Sequence, residues 1–573
     1  MRRGALVAAV VVAALAAPAS AWAHAALLHT TPSASVVLNH PPKQVAMTYS
    51  EAVEPRFAIV SITDAAGRRV AAGPPGRSPT NPDTLVTKLR PIGEGWYLVY
   101  WRVISADGHP VRGAFTFAVG PNPGPAPQFP IPSLSETAAT PQLLVARWIV
   151  FLSTMSAIGL FVLRALTARP LVRVLRGTSL RALNIALWVS LGAALIATPV
   201  YVVLATAQFA LRSAFNVGAL VPLLRSSAFG RGYLDLELTL GLFALAAAIC
   251  TWVDRPERPQ RSVAELLALI GALLAAAACL IVPGAAGHAA QTAPRGLSLA
   301  FDWFHLAAGS IWVGGLVGLL VLWRSTAELL RVAALSFVVP RFSNIAFASV
   351  MLLIGSGIGS SVQHLPTLAS LWQTSYGKTL IAKIVLLGGA MLLAAVNLSR
   401  TKPRLAAAAT RPTLAAGAAV LLRRLVSGEV VFVFCALFAA GLLSSLAPPS
   451  KALARLGHVS AKVGPGPVSH VVTQSGYRLA FNIDPNRAAL PNSFAVKITR
   501  GGKPVTHAGV VARFAMLDMT MSELSYRLPE KAPGTFSRSA PALVMVGHWG
   551  LTFEVTPPGK APFDVTLLDH ATG

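Results

Sequence analysis

The sequence predicts a multidomain membrane protein: an N-terminal all-β sandwich of immunoglobulin or cupredoxin type, an eight-helix transmembrane α bundle, and a small C-terminal β-sandwich. Three features predict it. Of the 573 residues, 54% are hydrophobic and only 12% charged, with a mean hydropathy of +0.60, too apolar for a soluble chain of this length. The apolar residues gather in blocks of about 20 residues or more, each long enough to cross a hydrocarbon core of about 30 Å as a helix. On both sides of this region the pattern changes to short alternating stretches punctuated by Gly and Pro, as strands and turns require.

Residues 1–23 read as a secretory signal. Arg2 and Arg3 form the charged start, Ala5 to Ala17 the apolar stretch, and Ala21-Trp22-Ala23 an A-x-A cleavage site. Residues 24–120 form the first module, with strands expected at 45–49, 57–63, 85–89, 96–105 and 113–119. Residues 121–140, rich in Pro, Gly and Ser, read as a semi-extended linker. The membrane domain occupies 141–447, with spans expected at 141–164, 182–209, 233–253, 263–283, 298–323, 342–362, 378–398 and 428–447. The tail, 451–573, alternates again at 477–483, 493–499, 510–517, 543–555 and 563–568.

Charge fixes an orientation. The formal net charge is +26, which in a soluble protein would suggest nucleic acid. Here the Arg residues cluster in alternate loops: Arg164, Arg169, Arg173 and Arg176, then Arg255, Arg258 and Arg261, then Arg324, Arg331 and Arg341, then Arg400 to Arg424. The other loops are poor in them, so the positive-inside rule puts both β modules outside an inner (cytoplasmic) membrane. No basic patch interleaved with aromatics is present, and nucleic acid is excluded as a partner. Cys250, Cys279 and Cys435 all fall in spans, so the exported modules have no disulfide framework.

Cleavage after Ala23 makes His24 the mature N-terminus, with a free amine and an imidazole on one residue. Asp107-Gly108-His109 stands in a turn between two strands, where Asp and His can point the same way. His24, Asp107 and His109 together supply one amine, two imidazoles and a carboxylate, a donor set for tetragonal Cu(II). His29 and His40 have no place in it and read as surface residues. In the membrane domain, His288 lies at the outer end of the fourth span and His305 just inside the fifth. Polar groups at that depth are costly and mark pathways or internal pairs. His364 lies in another outer loop. Met155, Met351 and Met391 fit either soft Cu(I) stations or packing. Glu237, Asp302 and Lys383 fit either helix-pairing charges or proton relays. In the tail, Met519, Met521, Met545 and His548 offer thioethers and an imidazole, a set that selects Cu(I), with core packing as the competing role.

The mature start His-Ala-x-Leu, the Pro-rich early segment and Ser105-Ala106-Asp107-Gly108-His109-Pro110 resemble the CopC family of periplasmic copper-binding proteins over 24–120. The resemblance implies Cu(II) ligation by His24, Asp107 and His109. With Met47 as its lone methionine, the module lacks the Met-rich Cu(I) site of some members. Gly287-His288-Ala289, Asp302-x-x-His305 leading into Ile311-Trp312-Val313-Gly314-Gly315-Leu316, then Tyr376-Gly377-Lys378 and Lys383, resemble the CopD family over 141–447. That family implies copper movement across the inner membrane, and supports the pair His288 and His305 as a transport path. The Met-x-Met and Met-x-Gly-x-Trp patterns of the tail resemble YtkA-like or FixH-like modules over 465–570. The partners implied are copper ions, the bilayer and periplasmic copper chaperones.

No P-loop, G-x-G-x-x-G turn, phosphorylation segment or nucleophile–base pair is present, so the chain is expected not to be an enzyme. Two other functions remain open at this level: a copper sequestration or resistance protein anchored by its helices, and a membrane redox protein with haem or copper-oxidase chemistry.

Overall fold

The computed structural model describes residues 27–34, 36–50, 52–53, 55–104, 110–124, 140–210, 218, 221, 224, 228–292, 294–446, 448–449, 451–488, 491–518 and 523–572. The chain falls into two compact units. One holds the helices; the other holds both β modules together with residues 365–378.

The N-terminal module is a β-sandwich. Its strands are β1 (Leu27–Thr31), β2 (Val37–Leu38), β3 (Gln44–Tyr49), β4 (Ile59–Asp64), β5 (Gly76–Arg77), β6 (Thr84–Lys88), β7 (Gly95–Ile104) and β8 (Pro110–Val119). They form two four-stranded sheets, ordered β1-β3-β6-β5 and β2-β8-β7-β4. The two-residue side-chain period sends Val45, Met47 and Tyr49 of β3, Val99, Trp101 and Val103 of β7, and Phe115 and Phe117 of β8 into one core. Tyr49 meets Trp101 edge-on, ring centroids 5.7 Å apart. Gly113 is required beside it, because a Cβ there would stand 2.7 Å from Trp101 Cζ2.

The tail module is built from β9 (Val459–Lys462), β10 (Val468–Gln474), β11 (Tyr477–Asp484), β12 (Asn492–Arg500), β13 (Lys503–Pro504), β14 (Gly509–Met516), β15 (Leu524–Arg527), β16 (Glu530–Ala532), β17 (Thr535–Ala540), β18 (Gly547–Thr556) and β19 (Phe563–Ala571). One sheet runs β10-β11-β12-β17-β16, with β13 on β12; the other runs β15-β14-β18-β19-β9. The ring pairs Phe494–Phe514 and Phe481–Phe553, at 4.6 and 4.7 Å, join the two sheets.

The two modules share a face. In a free sandwich the outward face of a sheet meets water. Here Leu98, Ala114, Thr116 and Ala118, all on the outward face of the β7–β8 pair, are at most 3% exposed. Leu98 and Ala114 pack with Ala488 of the tail, and Trp96, Tyr100 and Val546 close around them. The open edge of β8 is also taken. Ala118 and Gly120 donate their N–H groups to Val36 and Leu38 at 2.9 and 2.8 Å, and Ala114 donates to the Val544 carbonyl of the tail at 3.3 Å.

Among the described residues, eight helices are long and apolar enough to cross a membrane. They are α1 (Pro141–Val162), α2 (Arg181–Ala210), α3 (Ala228–Val253), α4 (Val263–Ala286), α5 (Arg295–Ser325), α6 (Glu328–His364), α7 (Ser375–Val396) and α8 (Pro412–Leu443). Thr140 caps α1 ahead of Pro141, and Ser262 and Glu265 form a reciprocal capping box on α4. Helices α6 and α8 start well before the spans read from the sequence, at Glu328 and Pro412. Their N-terminal stretches carry Arg331 and Arg341 in α6 and Arg423 and Arg424 in α8 within continuous helix, and Pro340 lies inside α6 without ending it.

Helices α1 and α5 are central: 78% and 61% of their apolar windows are buried, against 11% for α7. They touch backbone to backbone. A Cβ on Gly159 would collide with the Ser310 carbonyl and come within 2.7 Å of Gly314 Cα. Close approach through small residues is how helices associate in lipid, where burying apolar surface gives no drive. At the far end of the bundle, Asp254 forms an ion pair with Arg164 at 2.9 Å and accepts from Arg169 at 2.6 Å, and Arg169 also reaches Glu265 at 3.2 Å. Arg164 and Arg169, read from the sequence as loop charges, are therefore buried structural ions.

Two outcomes follow. Asp254→Ala strands two buried guanidinium groups and should lower stability by about 3–5 kcal/mol, read as a fall in thermal unfolding midpoint in detergent. A double variant Ala114→Cys and Val544→Cys in the full chain should form an internal disulfide under mild oxidation, since backbone hydrogen-bonded neighbours meet the Cα spacing of such a bond. Free labelling of both thiols would show that the modules do not dock.

Candidate metal centre

His24, Asp107 and His109 lie outside the described residues, but their flanks do not. β1 starts at Leu27, opposite Tyr49 at the end of β3. β7 ends at Ile104, which pairs with Pro110 at the start of β8, so Asp107 and His109 fall between paired strands. β4 opposes this end of β7, with Ile59 facing Arg102. Tyr49 and Trp101 tie the two sheets together just there. The topology thus brings Leu27, the end of β7 and the start of β8 to one end of the sandwich. His29 and His40 are exposed on its surface.

In the helical unit His305 is held from one side. Its Nδ1 lies 3.2 Å from the Leu353 carbonyl and 3.3 Å from Ser356 Oγ, and Ser356 itself donates to Leu352. A carbonyl can only accept, so Nδ1 carries the proton and Nε2 keeps a free lone pair. Gly357 leaves room for the ring beside α6: a Cβ there would be 3.2 Å from His305 Cε1. His364, at the end of α6, is instead engaged through both ring nitrogens. Its Nδ1 donates to the Ser360 carbonyl at 2.7 Å, and Nε2 faces Thr292 Oγ1 at 3.2 Å. An imidazole tied through one nitrogen to a carbonyl, with the other nitrogen free, as at His305, is the usual state of a metal-ligating histidine. His288 opens the short 3₁₀ turn His288–Gln291 that leads to Thr292. Asp302, one turn before His305, packs on α4, where a Cβ on Gly284 would be 2.5 Å from its Oδ2. Lys383 of α7 is the charged neighbour of both Asp302 and His305.

In the tail, Met519 and Met521 lie outside the described residues, and β14 ends earlier, at Met516. Met545 is half-buried against the core, and its carbonyl accepts from Trp549 Nε1 at 3.0 Å. His548 is buried. Its Nδ1 donates to the Asp518 carboxylate at 3.0 and 3.1 Å, and its backbone N–H to Asp518 Oδ2 at 2.6 Å. His570, its cross-strand partner, stacks on it with centroids 4.7 Å apart and planes 12° apart. Next to His570, Asp569 is fully buried and accepts from Asn486 at 2.8 Å. Among the described residues no three His, Cys, Asp or Glu side chains converge on one point, so a metal at His548 would need thioether partners.

The CopC domain family matches residues 27–120, and the family described as copper resistance protein D matches 337–443. The Copper resistance protein C of Xanthomonas campestris pv. juglandis is 31% identical over 116 residues, 19% of this chain and 91% of that protein. The chain belongs to the CopC–CopD family of copper resistance proteins. It is similar along most of its length to the copper transport protein CutJ of Bacillus subtilis strain 168, 26% identical over 549 residues and 93% of each chain. Protein YobA of Escherichia coli K12 is 34% identical over 101 residues, 18% of this chain and 82% of that protein. The crystal structure of CopC from Methylosinus trichosporium OB3b, 31% identical, matches 18% of this chain and 99% of that one with a TM-score of 0.17.

The CopC match contains Asp107 and His109 and starts three residues after His24. The CopD match takes in α6 from Phe337 onward, α7 and α8, and so His364 and Lys383; His288, Asp302 and His305 precede it. Sequence reasoning missed His570 and the anchoring role of Asp518, because both depend on strand register. The nearest signal was the presence of Asp518 among methionines.

Asp569 generates a pH dependence. Burial, opposed in part by Asn486 and the neighbouring histidines, raises its carboxyl from 3.8 to about 6. The native state then holds a proton the unfolded chain has released. The contribution of Asp569 to stability is full below about pH 3.8 and is lost as pH rises through about 6, on the order of 3 kcal/mol. Asp569→Asn should flatten this fall, measured as pH-dependent amide exchange in β18 and β19 of the full-length protein.

Proposed function

We propose that this CopC–CopD protein captures Cu(II) outside the cytoplasm at His24, Asp107 and His109 and passes copper inward across the cytoplasmic membrane through His288, His364 and His305. The observation that carries the proposal is the bonding of His305: a histidine inside an apolar bundle whose Nδ1 is tied to a backbone carbonyl and whose Nε2 is left with its lone pair. The chain binds and conducts rather than catalyses. Inward movement of a cation gains about 2.3 kcal/mol per charge per 100 mV from the membrane potential. Met545 and His548, joined by Met519 and Met521, form a separate soft site for Cu(I) in the tail, with Asp518 fixing the His548 tautomer. Both modules face the same exported compartment, where copper chaperones would meet them.

Copper uptake into sealed vesicles containing the purified protein tests transport directly. Uptake that depends on the protein and falls at least tenfold, roughly the effect of losing ~1.4 kcal/mol, is expected for His305→Ala. Protein-independent uptake with intact Cu(II) binding would leave an anchored sequestration protein. At the capture site, mass spectrometry of the mature chain should show His24 as its first residue, since any other start removes the amine ligand. A Soret band in the purified protein would point instead to haem chemistry.

A further inference from the structure

We infer that Met155 is a Cu(I) contact on the membrane route, the station one helical turn inward of His305. Its place comes from geometry, and its role rests on the transport function proposed above.

His305 stands ten residues into α5, roughly 15 Å from the helix start. One turn further in, position 309 is glycine. A Cβ there would meet Met155 Cε at 2.7 Å and Leu353 Cδ1 at 3.6 Å. The Met155 side chain therefore leaves α1 and fills the notch in α5 directly below His305. Leu353 joins the two groups: its carbonyl accepts from His305 Nδ1, and its side chain borders the methionine notch. Three helices thus bring an imidazole and a thioether to the same residue of α6. His364 lies outward on the same face of α6. Its anchor, Ser360, is seven residues from Leu353, about 10 Å along the helix. Gln363, next to His364, buries both amide atoms without a hydrogen-bond partner among the described residues.

The donors in this line are neutral. A thioether is a weak ligand for hard cations and selects Cu(I). A monovalent ion in a shell of neutral donors also carries the smallest charge that copper can bring into the bilayer. Met155 is 8% exposed, whereas Met351 is 46% exposed on α6, so the two methionines are not equivalent. One turn inward of Met155 stands Gly159, where α1 and α5 touch backbone to backbone. Met155 is thus the last soft donor before that contact.

The test uses full-length protein in liposomes, with ascorbate outside to keep copper as Cu(I) and a Cu(I)-chelating dye trapped inside. In parallel, Cu(I) bound by the detergent-purified protein is counted by competition with a chromophoric chelator. Met155→Leu preserves volume and apolarity and should fold. It is expected to bind one Cu(I) fewer than wild type and to slow uptake roughly tenfold. Met155→Cys should recover much of both, and Met351→Leu should change neither. Wild-type binding and uptake in Met155→Leu would overturn the assignment and leave the residue as packing. So would equal losses in folded Met155→Leu and Met155→Cys. If wild-type liposomes take up no copper, transport is refuted while the Cu(I) count still decides the site: one ion lost in Met155→Leu upholds it, and an unchanged count overturns it.

Discussion

The contact between Gly159 and Gly314 sets the geometry of the helical unit. In lipid, apolar surfaces are not driven together by water, so helices must gain from close packing. α1 and α5 gain it by removing side chains where they cross, and Gly315 and Gly318 extend the seam against Phe342 and Leu163. With these two helices locked, α6 lies against α5 closely enough for an imidazole on one to bond a carbonyl on the other. A larger residue at 159 or 314 would move α5 as a body, and with it His305, Asp302 and the notch at Gly309. The glycines act on the site without touching it.

The two ends of the bundle handle polarity in opposite ways. At the far end, Arg164, Arg169, Asp254 and Glu265 neutralise one another in a buried network that also caps α4. Such a cluster is rigid, because removing any member leaves an uncompensated charge. Near the start of α5 the polar groups are imidazoles, hydroxyls and an amide: buried Ser356 and half-buried His305, His364, Thr292 and Gln363. Apart from Asp302 and Lys383, they are neutral, and a neutral donor can bind and release a cation without leaving an orphaned charge behind. The first arrangement suits a fixed scaffold and the second a passage.

Much of this was legible in the sequence, and the parts that were not share a cause. Eight spans follow from the length of the apolar blocks, and the longer strands of both modules follow from alternation, as in Trp96 to Ile104 or Tyr477 to Ile483. Short strands such as Val37–Leu38 and Gly76–Arg77 carry too few residues to show a period. Helices α6 and α8 run on beyond the apolar spans because a helix can carry arginine into the interface along its apolar stem. The pairing of Met155 with Gly309 is invisible in one dimension: the residues are 154 positions apart, and what joins them is a missing side chain. The stacking of His548 on His570 likewise depends on the register of β18 with β19.

The union of the two β modules carries the same lesson further. A sandwich normally keeps one polar face per sheet, yet β7 and β8 place Leu98, Ala114, Thr116 and Ala118 outward beside Trp96 and Tyr100. Ala488 and Val546 of the tail cover this apolar face. The backbone bond from Ala114 to Val544 adds the tail to an edge that would otherwise be open to pairing with other chains. Val544 is one residue from Met545 and four from His548, while β8 begins one residue after His109. The segment that fastens the modules together therefore borders both sets of candidate copper ligands. A movement that releases Ala114 from Val544 would shift the backbone next to Met545.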